Sequence, residues 1–284
     1  MQFSFFPTDE PEDKIEEQQI PVSYSPATEV KITEEHYKAM IIMVVKGFKN
    51  LTKLPKFSLT YRRCNNVGKK EIKEQGILSA FSQNSDVVPG VYEGGLKVWD
   101  CAYDLLDYLS TNSQLLKSGM KVLELGCGAG LPGIFALCKG ANVDFQDFNV
   151  DVLRVSTIPN ILLNIKSEEW SDLPQRCSFI AGDWGAVADF LEAQQARYDL
   201  ILTSETIYSL PSQPRLIQAM ERLLHPAGKV LLAAKLYYFG VGGTIPQFVE
   251  LLGKSSSLQS RSAHVVNDVL KREILEITYK PKEE

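Results

Sequence analysis

From Lys121 to Lys235, short apolar runs alternate with stretches in which apolar residues recur every three or four positions. The runs predict strands at Lys121–Leu125, Val143–Phe148, Ser178–Ala181, Tyr198–Thr203 and Lys229–Lys235. The helical spacing falls between them, near Leu131–Cys138, Asp151–Ile165, Ala186–Gln195 and Pro214–Leu224. Strands apolar throughout are buried on both faces, and a strand–helix alternation builds a parallel sheet covered by helices. Two extended stretches in immediate succession, Ala263–Leu270 and Lys271–Tyr279, predict a terminal antiparallel pair. Ahead of the first strand, Trp99, Ala102, Tyr103, Leu106 and Leu109 share one helix face.

The N-terminal third reads differently. Residues 1–30 form an acidic, proline-bearing stretch (Asp9, Glu10, Glu12, Asp13, Glu16, Glu17) that buries little, and a disordered tail is expected. Residues 31–87 form an N-terminal extension. Thr33 can cap a helix whose stripe is Tyr37, Met40, Ile41, Val44, Val45 and Phe48. From Lys46 to Lys73 the chain is basic (Lys46, Lys49, Lys53, Lys56, Arg62, Arg63, Lys69, Lys70, Lys73), with Phe57, Leu59 and Tyr61 alternating like a short strand. A solvated charged face and a contact for an RNA-rich partner are both open readings. Residues 88–284 hold the main domain.

Composition narrows the class. The 284 residues are 44% hydrophobic and 23% charged, with a net charge of −5, so no global attraction to nucleic acid is expected. Five scattered cysteines without a C-x-x-C pair argue against a disulfide framework and a structural zinc site, and favour a reducing compartment. The start lacks the pattern of a secretory signal, and no stretch is apolar enough to span a bilayer. No metal and no membrane partner are expected.

The strongest local signal is Val122-Leu-Glu-Leu-Gly-Cys-Gly-Ala-Gly130. An apolar strand runs into Gly126, Gly128 and Gly130, and a helix follows, which is how open α/β sheets bring backbone close to a ligand. Gly128 to Gly133 also fits the dinucleotide pattern G-x-G-x-x-G, a weak match by itself. Against it, the glycine run starts directly after Glu124-Leu125, and Pro132 removes an amide where a pyrophosphate would bind. Asp147, at the end of the second strand, can accept hydrogen bonds from ribose hydroxyls. After the third strand, Asp183 can accept from an adenine amino group, and Trp184 offers a stacking face.

These features resemble those of the seven-strand, class I protein methyltransferases, whose sheet is mostly parallel with a terminal antiparallel strand. Ser204-Glu-Thr-Ile-Tyr208 is similar to the acidic-x-x-Tyr motif of their lysine branch. Pro89 to Trp99, Asp144 to Asn149, Ile201 to Tyr208 and Tyr238 to Gly243 together resemble the histidine protein methyltransferases, the methyltransferase-like protein eighteen group and its fungal counterpart. The resemblance covers roughly residues 88–280. It implies a Rossmann-like fold, S-adenosyl-L-methionine as cofactor with S-adenosyl-L-homocysteine as product, and a histidine of the third large-subunit ribosomal protein as acceptor. It also implies a ribosomal protein or pre-ribosomal particle as partner, in cytoplasm and nucleus, including the nucleolus. On the same grounds Glu93, Gly94, Gly95 and Trp99 should line the methionine side of the cofactor. Glu124, Asn149 and Ser204 join the glycines, Asp147, Asp183 and Trp184 in the expected cofactor set. Glu205 and Tyr208 should face the transferred methyl.

A neutral imidazole has a free lone pair and a reference pKa of about 6.5, so it needs no strong base; a lysine amine starts at about 10.4. Glu205 is expected to accept the N–H of the other ring nitrogen and fix the tautomer. The chain's own His36, His225 and His264 lie outside the motifs and receive no catalytic role. Three rivals stay open: a lysine methyltransferase of the same superfamily, a ribosome-assembly factor that only binds the cofactor, and a dehydrogenase.

Overall fold

The computed structural model describes residues 25–38, 51–62 and 70–281. Among these residues, ten strands and seven main helices place the site. Strand β1 is Thr28–Glu29; β2 (Leu51–Leu54) and β3 (Leu59–Arg62) form a hairpin; helix α1 is Gln75–Ser82 and α2 is Asp100–Thr111. Then come β4 (Lys121–Leu125), α3 (Leu131–Cys138), β5 (Asn142–Asp147), and a long helix α4 built from Val150–Val152, a π segment Leu153–Thr157 and Ile158–Asn164. After these follow β6 (Cys177–Ala181), α5 (Trp184–Ala193), β7 (Tyr198–Ser204), α6 (Gln213–Leu223), β8 (Leu224–Lys235), α7 (Ile245–Ser255), β9 (Leu258–Val266) and β10 (Arg272–Tyr279).

The main sheet runs in the order β1-β6-β5-β4-β7-β8-β10-β9. Strands β4 to β8 pair in parallel, and β10 lies antiparallel between β8 and β9. This is the seven-stranded Rossmann-like sheet that the resemblance implies, extended to eight because Thr28–Glu29 pairs antiparallel with Ile180 and Ala181. The strand order reverses at β4, so the crevice opens over the carboxyl ends of β4 and β7. Although the central strands read as continuous apolar runs, their side chains sort by alternation. Val122, Leu200 and Leu202 join the core under α2 and α3, while Leu123, Leu125 and Ile201 join the one under α5, α6 and α7.

Four departures from the sequence reading have physical causes. The first sheet strand of the closing pair begins at Leu258 rather than Ala263. It is an edge strand whose exposed Gln259, Arg261 and Ser262 carry no apolar signal, while Asn267–Leu270 form the turn. Helix α4 is continuous but widens into a π turn just before Pro159, whose missing N–H breaks the regular ladder. Phe57 ends a 3-10 turn, so only Leu59 and Tyr61 of the expected alternation are in a strand. Residues 25–30, placed in the tail by composition, lie along the sheet edge, with Asp183 N donating to Ser25 O at 3.0 Å.

The extension packs onto the main domain. The edge of β3 is satisfied by two side chains one helical turn apart on α4. Asn160 Oδ1 accepts from Arg62 N at 2.9 Å, and Asn164 Oδ1 accepts from Thr60 N at 2.8 Å. Ile72, Ile77 and Ala80 share a buried cluster with Tyr92, Leu96, Val152 and Val155. Within the basic stretch, Arg62 is buried and paired with Glu71 at 2.7 Å, and Lys56 pairs with Asp107, so neither is a free surface charge. Met40, Ile41, Val44, Val45, Phe48, Lys46, Lys49, Arg63 and Lys69 lie outside the described residues, as does the acidic cluster Asp9–Glu17.

Candidate active site

The carboxyl ends of β4, β5, β7 and β8 and the segment ahead of α2 enclose a cleft of about 1540 Å³. Its floor is the glycine loop. Gly126, Gly128 and Gly130 all have positive φ, and a Cβ on Gly128 would stand 2.8 Å from Gly95 O. The second glycine thus lets the Glu93–Gly95 turn lie directly on the loop. Gly95 is equally constrained, since its Cβ would meet Asp147 Oδ2 at 2.8 Å.

Side chains far apart in sequence lock this floor. Gln146 Oε1 accepts from Gly126 N and from Trp184 Nε1, both at 3.0 Å, while its Nε2 donates to Gly182 O at 2.9 Å. Thr157 Oγ1 donates to Gly128 O at 2.6 Å from within the π turn, and Asn160 Nδ2 donates to Ala129 O at 3.0 Å. Asp147 is buried. Its Oδ2 accepts from Gly128 N at 2.9 Å and its Oδ1 from Asn149 N at 3.2 Å. Burial pushes its carboxyl up to about 6, against the pull of those two amides. Each oxygen keeps acceptor capacity toward the cleft.

Of the sequence-predicted residues, Glu93, Gly94, Gly95, Trp99, Gly126, Gly128, Gly130, Asp147, Asp183, Trp184, Ser204, Glu205 and Tyr208 all line the cleft. Two expected cofactor residues stand behind it. Glu124 is buried beneath α3, where its Oε2 accepts from Gly133 N at 2.9 Å, and desolvation pushes its carboxyl up to about 8. It fills the spot at the helix N-terminus that a pyrophosphate would need. Pro132 lacks an amide and Gly133's is taken, which weighs against a dinucleotide. Asn149 tethers the wall instead, donating to Val91 O at 2.9 Å and Glu74 Oε1 at 3.1 Å. Asp183 lines the cleft but is already engaged. Its Oδ1 caps α5 through Gly185 N at 3.0 Å, and its Oδ2 pairs with Arg215 at 3.1 Å. None of the chain's three histidines lines the cleft.

At the other end, Glu205 closes β7 with a left-handed φ of 58°, a strained conformation for a residue with a side chain. Its amide donates to Ala233 O at 2.9 Å. The residue is 8% exposed, and its two carboxylate oxygens differ. Oε1 pairs with Lys235 Nζ at 3.2 Å and accepts from Cys101 N at 3.4 Å. Oε2 is buried with no hydrogen-bond partner among the described residues. An unpaired buried carboxylate oxygen is unfavourable unless a ligand completes it. Tyr208 donates its hydroxyl to Glu93 Oε2, and its ring meets Tyr238 edge-on at 6.3 Å. Burial and nearby carboxylates hold both tyrosine hydroxyls and the Cys101 thiol well above their ordinary pKa values. All three stay protonated here and are not bases.

Sequence reasoning missed Lys235 and Arg215 as site residues, and Gln146 and Tyr238 entered only as parts of family motifs. Lys235 is simply the last residue of an apolar strand, and that position at a sheet's carboxyl end was the available signal. The mouth of the cleft is apolar, with Tyr237, Phe239 and Val241 exposed on the segment after β8.

Similarities to known proteins follow this layout. A family model described as "Lysine methyltransferase" matches residues 88–238. "Histidine protein methyltransferase 1 homolog" of Dictyostelium discoideum is 43% identical over 198 residues, 69% of this chain and 61% of that protein. The protein of that name in Rattus norvegicus is 38% identical over 233 residues, 75% of this chain and 64% of its own length. "EEF1A lysine methyltransferase 3" of Mus musculus is 30% identical over 142 residues, 49% of this chain and 55% of that protein. The chain thus spans less than two thirds of the length of these relatives. With the family model matched over more than half of its length, the chain belongs to this methyltransferase family.

Proposed function

We propose that the protein is an S-adenosylmethionine-dependent protein-histidine methyltransferase acting on the third large-subunit ribosomal protein. The observation that carries the reading is the buried, unpartnered Oε2 of Glu205 at the cleft's acceptor end. The donor set fits the cofactor. Asp147 and Glu93 line the cleft with no ion-pair partner among the described residues, so the region above the glycine loop favours a cationic ligand over a phosphate. Asp147 would hold the ribose and Trp184 the adenine, with Trp99 and the Glu93–Gly95 turn along the amino-acid part. The cofactor supplies an electrophilic methyl on a sulfonium sulfur, which leaves as a neutral thioether when a lone pair takes the methyl.

The chain's own residues then have simple work. Glu205 Oε2 accepts the N–H of one imidazole nitrogen, which fixes the tautomer and leaves the other nitrogen's lone pair free. The same carboxylate balances the positive charge that develops on the ring. The tyrosines shape the pocket and take no proton. The absence of a free base among Tyr208, Tyr238 and Cys101 suits an acceptor that is neutral at pH 7. The histidine names of the relatives at 38–43% identity support the same acceptor.

The description of the matching family model favours a second reading, lysine as acceptor. Mass spectrometry of ribosomal proteins from cells with and without the gene separates the two. A methyl group lost from a histidine of the third large-subunit protein is expected; loss from a lysine moves the chain to the lysine branch.

A further inference from the structure

Lys235 ends β8 with its side chain 14% exposed. Its ammonium lies 5.3 Å from the Trp99 ring centroid and 5.9 Å from that of Tyr238. Its remaining close partner is Glu205 Oε1 at 3.2 Å. Two aromatic faces and a carboxylate are the surroundings that a pocket for a lysine side chain provides. In this chain they are occupied by a lysine of its own.

We propose that Lys235 is a positioning residue that sets the acceptor class: its ammonium fills the aromatic cage and holds one oxygen of Glu205, leaving the other oxygen for the N–H of a neutral imidazole. The assignment rests on the histidine reading above. A substrate ammonium entering the same space meets a like charge with little water to screen it, whereas an imidazole binds neutral and becomes cationic only in the transfer, beside Glu205 Oε2. The resident cation also disfavours protonation of a bound imidazole, so the attacking lone pair stays available as pH falls.

The charged groups around this pair leave Lys235 as the cation facing Glu205. Cys101 from α2 is a neutral thiol, and its neighbour Asp104 is taken by Arg272 of β10 at 2.6 Å. Tyr238 is neutral, and Glu93 receives the Tyr208 hydroxyl. Lys97 approaches the same Trp99 ring at 4.4 Å but pairs with Asp86 outside.

The test compares wild type, Lys235→Met and Lys235→Arg on the ribosomal protein and on a copy with lysine in place of the acceptor histidine. Removing the cation leaves Glu205 unopposed, so a bound imidazole keeps its proton to higher pH. The acid limb of kcat is expected to move up by about one pH unit in Lys235→Met and to stay in place in Lys235→Arg. The preference for histidine over lysine should fall at least about tenfold in the Met variant only. If Met does not fold, Lys235→Gln carries the same expectations. A lower rate with unchanged acid limb and unchanged preference overturns the role of Lys235 alone. Wild-type enzyme that methylates the lysine copy as well as the histidine, or no histidine at all, overturns the functional reading and this assignment with it.

Discussion

The two ends of the cleft are built on opposite principles. At the cofactor end, nearly every polar group is spoken for. Gln146 ties the glycine loop to Gly182 and Trp184, Thr157 and Asn160 hold its carbonyls, and Glu124 braces α3 from below. At the acceptor end, Glu205 sits at positive φ with one oxygen unpartnered, beside a lysine caged by aromatic rings, under a rim of exposed side chains. On the proposed reading, the satisfied network rigidifies the cofactor site, and the strain and incomplete hydrogen-bond set lie where the protein substrate is met.

The largest expected effect comes from the acceptor end. Glu205→Gln keeps the shape but offers a weaker acceptor and no charge, so turnover should fall about 100-fold, or about 2.7 kcal/mol in barrier, with cofactor affinity little changed. Lys235 then lacks its partner, and a loss of about 1–3 kcal/mol in stability is expected from denaturant titration. Unchanged turnover would make the strained carboxylate a structural feature and erase the contrast between the two ends.

At the cofactor end, Asp147→Ala should weaken S-adenosylmethionine binding by about 1.5–3 kcal/mol in calorimetry, as for lost charge-assisted hydrogen bonds. The Asp147 carboxyl stands at about 6 without ligand, and hydrogen bonds from a ribose favour its charged form. Wild-type affinity should therefore decline as pH falls below about 6, with proton uptake opposing binding. Affinity flat from pH 5 to 8 would place the ribose elsewhere.

The two ends were not equally legible in the sequence. The glycine loop, Asp147 and Gly182–Trp184 are short stretches that follow successive strands, so the fold's regularity made them readable. The parallel sheet was legible for the same reason. Glu205 and Tyr208 entered through a motif and line the cleft, but the partner of Glu205 comes from the next strand, thirty residues on, and carries no local signature. Glu124 and Asn149 were misplaced because sequence adjacency to a ligand loop does not say which face a side chain takes: Glu124 turns under α3, and Asn149 turns to the 74 and 91 region. Polar β9 and two-residue β1 left no periodicity to read.

Smaller effects sharpen the same contrast. Glu124 has a folded-state pKa of about 8 against 4.5 for the free side chain, so the folded chain holds an extra proton between those values. Stability should then decline as pH rises from 5 to 8, and Glu124→Gln, which mimics the protonated acid, should remove most of that slope, leaving the part below about 6 that Asp147 contributes and gaining about 1–3 kcal/mol over wild type at pH 8 relative to pH 5. Urea midpoints at the two pH values check the sign. Phe239, 79% exposed at the mouth, should matter to the protein substrate alone. Phe239→Ala is expected to raise KM by a few-fold, about 1 kcal/mol, without changing cofactor affinity.

The most direct measurement uses the purified protein, methyl-labelled S-adenosylmethionine and the third large-subunit ribosomal protein, followed by amino-acid analysis of the hydrolysate. Label in methylhistidine, lost when the acceptor histidine is replaced and strongly reduced with Glu205→Gln, is the expected result. Label confined to methyllysine, or no transfer despite firm cofactor binding, contradicts it.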